Sequence, residues 1–263
     1  RLEDGRSAVF RLREHIHRLF ESAHICLLQI PYAEGDVVKA CLDVLRANKL
    51  TEGYLRPVAF MGDGAMGLGA VNPIRVAIAA WVWPAYLGDE GLKKGIRAKI
   101  SSLTRLGVNS HMVRGKITGQ YVNSVLAKRE AVLAGYDEAI LLDSEGLVAE
   151  GSGENIFMVK NGTLFTPPLT SPILAGVTRD TVIQLARDRA MTVEERTFTR
   201  DSLYIADEAF FSGTAAEITP IREVDGRRIG EGKPGPVTRS IQELFFQTTR
   251  GAQLRYMEWL THL

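Results

Sequence analysis

Cysteine is scarce: the chain has Cys26 and Cys41 and no other among its 263 residues. The pair forms no close-spaced metal or redox motif, and such sparse use argues for a reducing interior rather than a disulfide-braced secreted fold. Long apolar runs are lacking too. The longest, residues 76–87, is broken by Pro84 and falls short of the ~20 residues that a spanning helix needs. Neither sign of charge dominates, with 32 basic residues against 31 acidic and a net charge of +1, so no basic footprint points to nucleic acid. His15 and His17 sit two apart, point to different sides of a helix and make no metal pair. No signal peptide is read at the start, and no repeat or low-complexity segment is found. These absences predict a cytoplasmic chain with neither a membrane nor a nucleic-acid partner and no metal.

What is present fits a globular enzyme of one large or two modest domains, with 45% hydrophobic and 24% charged residues. After a turn at Asp4-Gly5 and a short strand at Ala8-Val9-Phe10, apolar positions Leu12, Ile16, Leu19, Phe20 and Ala23 recur at helical spacing. They predict a helix over 12–26, with Arg18 on the shoulder of its apolar face. A second helix is predicted over 34–48 and a strand over 54–60. Tyr54 and Arg56 share one face of that strand, a phenol beside a guanidinium, a pairing suited to a carboxylate.

Gly62-Asp63-Gly64-Ala65-Met66-Gly67 matches the dinucleotide fingerprint letter for letter. The fingerprint must open a helix and be followed about 20 residues on by an acid. Gly69, Asn72 and Pro73 break any helix, and residues 74–88 contain no acid. It is read as a glycine-rich loop. Residues 75–83 read as a strand buried on both faces. Proline, glycines and acids then mark a boundary, giving domains 1–84 and 93–263 with a loop over 85–92. Beyond it come a strand at 97–104, a helix at 122–133 and short strands at 139–142, 148–150, 156–160 and 163–165. A helix at 178–189, a strand at 192–197, a short helix at 201–205 and closing helices at 237–248 and 254–260 complete the pattern.

Four stretches carry chemistry. Gly115-Lys116-Ile117-Thr118-Gly119-Gln120-Tyr121 offers an amine nucleophile and a phenol, and Glu150-Gly151-Ser152-Gly153-Glu154-Asn155 offers carboxylates in a glycine-rich turn. A Schiff-base lysine plus an acid for a pyridine nitrogen is what pyridoxal phosphate asks of a protein. Gly176-Val177-Thr178 opens a helix, where unpaired amides suit an anion. Ser212-Gly213-Thr214-Ala215-Ala216-Glu217 adds hydroxyls and small residues that permit close approach of backbone to a ligand.

Together with Phe165 to Asp180 and Gly235-Pro236-Val237-Thr238, these motifs resemble the class IV (fold-type IV) pyridoxal-phosphate-dependent aminotransferases over nearly the whole chain. The closest group is the one acting on branched-chain amino acids. The resemblance implies an α+β fold of two domains, a small α/β domain and a larger β-barrel-like domain with helices. It implies Lys116 as the Schiff-base lysine and proton carrier, Tyr121 on the cofactor's ring hydroxyl and Glu150 on the pyridine nitrogen. Arg18, Val177, Thr178 and Thr214 would hold the phosphate. Tyr54, Arg56, Thr214 and Ala215 would take the substrate carboxylate, and Trp83 would wall the side-chain pocket. Glu154 is read as a turn residue rather than a cofactor contact. The loop 62–73 would cover a neighbouring subunit's site, making a homodimer or higher homo-oligomer.

The implied reaction is ping-pong transamination of leucine, isoleucine or valine with 2-oxoglutarate. D-amino acid aminotransferases, (R)-amine transaminases and aminodeoxychorismate lyases are alternatives of the same fold, and a non-catalytic phosphate-binding module is an alternative outside it. The sequence departs from the family pattern at three points: the family's opening strand and helix have no counterpart, Pro84 replaces a glycine, and Gly115 stands where alanine is common.

Overall fold

The computed structural model describes residues 1–83 and 86–263. The Pro84 departure lies outside the described residues. The chain divides into two compact units, Arg1–Trp83 with Gln247–Leu263, and Pro84–Phe246.

In the first unit, strand β1 (Ala8–Phe10) runs into helix α1 (Leu12–Ile25). Helix α2 (Glu34–Ala47) follows, and Leu12 and Ile16 meet Val37, Val38 and Cys41 in a small apolar core. Strands β2 (Tyr54–Met61) and β3 (Ile74–Trp81) form an antiparallel pair, with Tyr54 opposite Trp81 and Met61 opposite Ile74. The loop between them contains no helix, as the rejection of the dinucleotide motif requires. The expectation that residues 75–83 form a strand buried on both faces is overturned. Exposure alternates along β3, with Arg75, Ala77 and Ala79 facing solvent. Those alanines read as apolar in the run, yet they are small enough to sit exposed at little cost.

The second unit opens with helix α3 (Gly88–Lys94), where a loop was expected. Asp89 and Glu90 in its first turn and Lys93 and Lys94 in its last complement the helix dipole. Strand β4 (Ile96–Thr104), helix α4 (Tyr121–Leu133), and strands β5 (Glu138–Leu142), β6 (Val148–Gly151), β7 (Asn155–Lys160) and β8 (Thr163–Thr166) follow. Helix α5 (Val177–Asp188), strand β9 (Val193–Glu195), helix α6 (Arg200–Tyr204), and strands β10 (Glu208–Gly213), β11 (Glu217–Val224) and β12 (Arg227–Arg228) lead to helix α7 (Pro236–Thr249). The Glu208 carboxylate accepts the Val237 and Thr238 amides at the start of α7, so the Gly-Pro-Val-Thr motif is a capped helix opening.

Among the described residues, nine strands form one sheet in the order β6-β5-β4-β11-β10-β7-β8-β9, with β12 on β11. This order forces curvature. Between β6 and β7 stand four strands, so a flat sheet would hold them about 24 Å apart. Yet only Ser152, Gly153 and Glu154 join them, and such a link spans at most about 14 Å. The sheet therefore curls until β6 approaches β7, and the Gly151 amide bonds the Glu154 carbonyl at 2.7 Å across the join. Ile100, Ile140, Ile156, Met158, Phe211 and Ile221 are buried within the resulting core.

The chain's end corrects two expectations. Residues 254–260, predicted as a helix within the larger domain, form a 3-10 segment (Leu254–Trp259) and strand β13 (Leu260–His262). That strand pairs with β1, Phe10 opposite Leu260. The Trp259 ring meets Phe10 edge-on at 5.9 Å and lies 4.7 Å from the Arg11 guanidinium, so residues 247–263 group with the N-terminal unit. Among the described residues no helix is long and apolar enough to cross a membrane.

Strand β4 carries an irregularity between Ile100 and Thr104 where it pairs with β5. Glu130 on α4 ties it down, accepting the Ser101 hydroxyl at 2.6 Å, the Ser102 amide at 3.0 Å and the Lys99 ammonium at 3.1 Å. Burial alone would raise this carboxyl, but the bonds from Ser101, Lys99 and Ser102 outweigh it and hold the pKa at about 2. A depressed folded-state value stabilises the fold above the ordinary range near 4.5, and that contribution is lost as the pH falls towards 2. Glu130→Gln is therefore expected to cost about 2 kcal/mol at neutral pH. The difference from wild type should vanish in urea melts near the folded-state value.

Candidate active site

Lys116 lies in the irregular stretch between β4 and α4. A turn bond from Gly115 N–H to Met112 O at 2.9 Å and the buried Gln120 amide on the same carbonyl at 3.0 Å fix the approach. Lys116 Nζ donates to the Tyr121 hydroxyl at 2.5 Å and sits 5.1 Å from that ring's centroid. Tyr121 is the first residue of α4, so the helix start carries the phenol to the amine. An alanine in place of Gly115 would meet chiefly the tip of the Ile117 side chain, 2.9 Å from the added carbon.

Glu150 is buried on β6, beside the join that closes the sheet. Its Oε1 lies 2.7 Å from Arg105 Nε, although that N–H is not aligned for a hydrogen bond. Its Oε2 accepts the Leu174 amide at 3.0 Å and the Asn155 side-chain amide at 3.2 Å. Burial pushes the carboxyl above its ordinary value, and the charge of Arg105, then the Leu174 bond and Lys116, pull against that rise without cancelling it. Lys116 thus acts both on its near neighbour Tyr121 and on Glu150, distant in sequence, within one unit.

Asn155 extends the site. Its side-chain nitrogen also donates to Leu174 O at 2.9 Å, and any Cβ at Gly176 would collide with its oxygen. Gly176 caps α5, whose first residues Val177 and Thr178 are buried. The opening amides of such a helix have no partner inside it. Thr214 and Ala215 form the turn between β10 and β11, where Tyr86 N–H reaches the Ala215 carbonyl at 3.4 Å. Just before the turn, Ser212 stands opposite Asn155 in the sheet. Its hydroxyl is buried without a hydrogen-bond partner among the described residues.

The remaining predicted residues belong to the N-terminal unit. Tyr54, Trp81 and Trp83 make an aromatic cluster, with Tyr54 4.8 Å from Trp83 and the two indoles stacked at 5.4 Å. The Arg56 guanidinium lies 5.4–5.7 Å from all three ring centroids, within cation–π range. Arg18 on α1 is half-buried, 3.3 Å from His15 Nδ1. Sequence reasoning missed Arg105, the bridging part of Asn155, and Trp81. For Trp81 the Trp-x-Trp spacing was a usable signal; for Arg105 there was none.

The family model described as Amino-transferase class IV matches residues 1–224. The chain belongs to the class IV aminotransferases. A branched-chain-amino-acid aminotransferase of Pseudomonas aeruginosa is 50% identical to this class IV chain over 256 residues, covering 97% of the chain and 83% of the relative. The crystal structure of the Escherichia coli branched-chain amino acid aminotransferase superposes with a TM-score of 0.94 at 47% identity, covering 97% of this chain and 84% of that one. The branched-chain amino acid aminotransferase of the archaeon Thermoproteus uzoniensis, solved with norvaline, gives 0.93 at 46% identity with the same coverage. Another branched-chain enzyme, solved with pyridoxamine 5'-phosphate, matches equally well, at 0.93 and 46%. The fold is that of the type IV aminotransferases, with the curled sheet described above.

Two further acids flank Glu150 in this class IV site. Glu138, fully buried, takes Lys128 Nζ at 2.6 Å and the Ser152 hydroxyl at 2.6 Å. Glu154 accepts the Gly153 amide at 3.1 Å, which is the bonding of a turn residue. Burial, with the Glu138 charge adding to it, pushes the Glu154 carboxyl well above its ordinary value of 4.5. An acid held protonated in the fold loses stability as pH rises above that ordinary value, since the unfolded chain alone then releases the proton. Relative to Glu154→Gln, the wild type should lose thermal stability from about pH 5 to about pH 8. Parallel melting curves for the two proteins across that range would refute the assignment.

Proposed function

We propose that the chain transaminates branched-chain L-amino acids with 2-oxoglutarate, using pyridoxal 5'-phosphate. The reading is carried by the Lys116 amine on the Tyr121 hydroxyl within electrostatic reach of buried Glu150, in a chain whose relatives bear that activity in their names. The donor set fits the cofactor. A buried carboxylate raised by desolvation suits a protonated ring nitrogen, and the α5 opening with the unsatisfied Ser212 hydroxyl suits a polar, anionic end.

Pyridoxal phosphate, when bound, supplies an electron sink that lets a substrate α-proton leave. Lys116 Nζ would be the covalent attachment point for the cofactor and the base that takes the proton at the substrate α-carbon. Tyr121 orients that amine and would hold the ring hydroxyl, while Glu150 would keep a proton on the ring nitrogen. Val177, Thr178 and Thr214 would bind phosphate, and Thr214 and Ala215 would receive the substrate carboxylate. The contributions of Arg18 to phosphate, of Tyr54 and Arg56 to the carboxylate, and of Trp83 to the pocket wall belong to the same proposal. So do a homodimer completed by loop 62–73, whose Met66, Leu68 and Val71 are fully exposed, and a cytoplasmic setting.

Purified protein given the cofactor should turn yellow and form L-glutamate from L-leucine and 2-oxoglutarate. Lys116→Ala should lose that turnover by at least about a thousandfold, whereas Tyr121→Phe should slow it by about tenfold. A wild type that takes up no cofactor, or that reacts with D-alanine in preference to L-leucine, would reject the proposal.

A further inference from the structure

Arg105 emerges from β4 directly after its irregular segment, its amide bonded to Leu142 O at 2.7 Å. The side chain is buried at 8% exposure, so its charge has been taken out of water. Such burial is costly unless the charge is matched, and the match in reach is Glu150 Oε1 at 2.7 Å. The carboxylate's other oxygen is held by Leu174 and Asn155. Glu150 is thereby fixed from two directions, leaving its rotation no play. The backbone that delivers Arg105 is itself anchored, since Glu130 grips Ser101 and Ser102 within the irregularity. The Lys116 charge also acts on Glu150, and Arg105 acts on it more strongly. Glu154 opposes both from the same buried cluster.

We propose that Arg105 is a positioning residue, which by its ion pair keeps Glu150 an ionised, immobile acceptor for the ring nitrogen of the cofactor. The inference rests on the cofactor reading above. Arg105 acts through Glu150 and touches no reacting atom. An ion pair that merely held the fold together would weaken any ligand equally. One that serves the ring nitrogen weakens only ligands that possess it.

Two compounds separate these cases: pyridoxal phosphate, and its 1-deaza analogue, in which a C–H replaces the ring nitrogen. Dissociation constants for both are measured by fluorescence titration of the cofactor-free full chain, and their ratio is the readout. The wild type prefers pyridoxal phosphate. In Arg105→Gln that preference falls by about tenfold, while affinity for the analogue changes by less than about twofold. Arg105→Lys, which keeps the charge, retains the preference to within about threefold, and Arg105→Met is a second neutral variant should the glutamine form not fold. An unchanged ratio in a folded neutral variant overturns the inference, as does a lysine variant that loses as much as the glutamine one. A wild type that binds neither compound sinks the cofactor reading itself, and is recognised because the failure precedes any substitution.

Discussion

A link of three residues, Ser152 to Glu154, joins an edge strand to one that lies beyond four intervening strands of the sheet. No flat arrangement satisfies it, so the sheet must bend, and the bend gathers candidate site residues. Glu150 sits near the end of the edge strand, Asn155 starts the inner strand, and Ser212 lies beside Asn155 on the next. Gly151, the last residue of the edge strand, answers to space. A side chain at Gly151 would press on Glu154 and on the Phe211 ring, at 2.7 Å and 2.9 Å.

Curvature brings a second condition. Residues at the closure are removed from water, and three of them, Glu138, Glu150 and Glu154, are acids. Each is answered differently. Glu138 has Lys128 and Ser152, Glu150 has Arg105 and the Leu174 amide, and Glu154, lacking a cation of its own, is driven towards its neutral form. Buried acids given such different partners within one cluster are a common arrangement where proton placement matters.

Legibility in the sequence followed locality. Lys116 and Tyr121 lie within one short stretch and Glu150 within another, so residue types and spacing were enough to mark them as candidates. The Thr178 helix opening was visible for the same reason. Arg105 was invisible because its meaning depends on Glu150, a contact that exists only after β4, β5 and β6 pair. Helix α3 was hidden by Gly88 and Gly91 within it, which read as breakers, although its charges run in the order a helix favours. At the C-terminus, Leu254, Met257 and Leu260 imitate helical spacing, but pairing with β1 and burial of Trp259 against Phe10 prevail over that local preference. In β3, alanine misled, since composition cannot tell a small buried residue from a small exposed one.

The side chain of Asn155 has a wider consequence. Its single nitrogen serves Glu150 and Leu174 together, while its oxygen abuts the glycine that begins α5. A carboxylate there would have no hydrogen to give, and a shorter side chain would leave both neighbours unbraced. Through that amide the acid and the helix opening are set a fixed interval apart, so the protein carries a gauge. A molecule that touched both ends would have to match that interval in length.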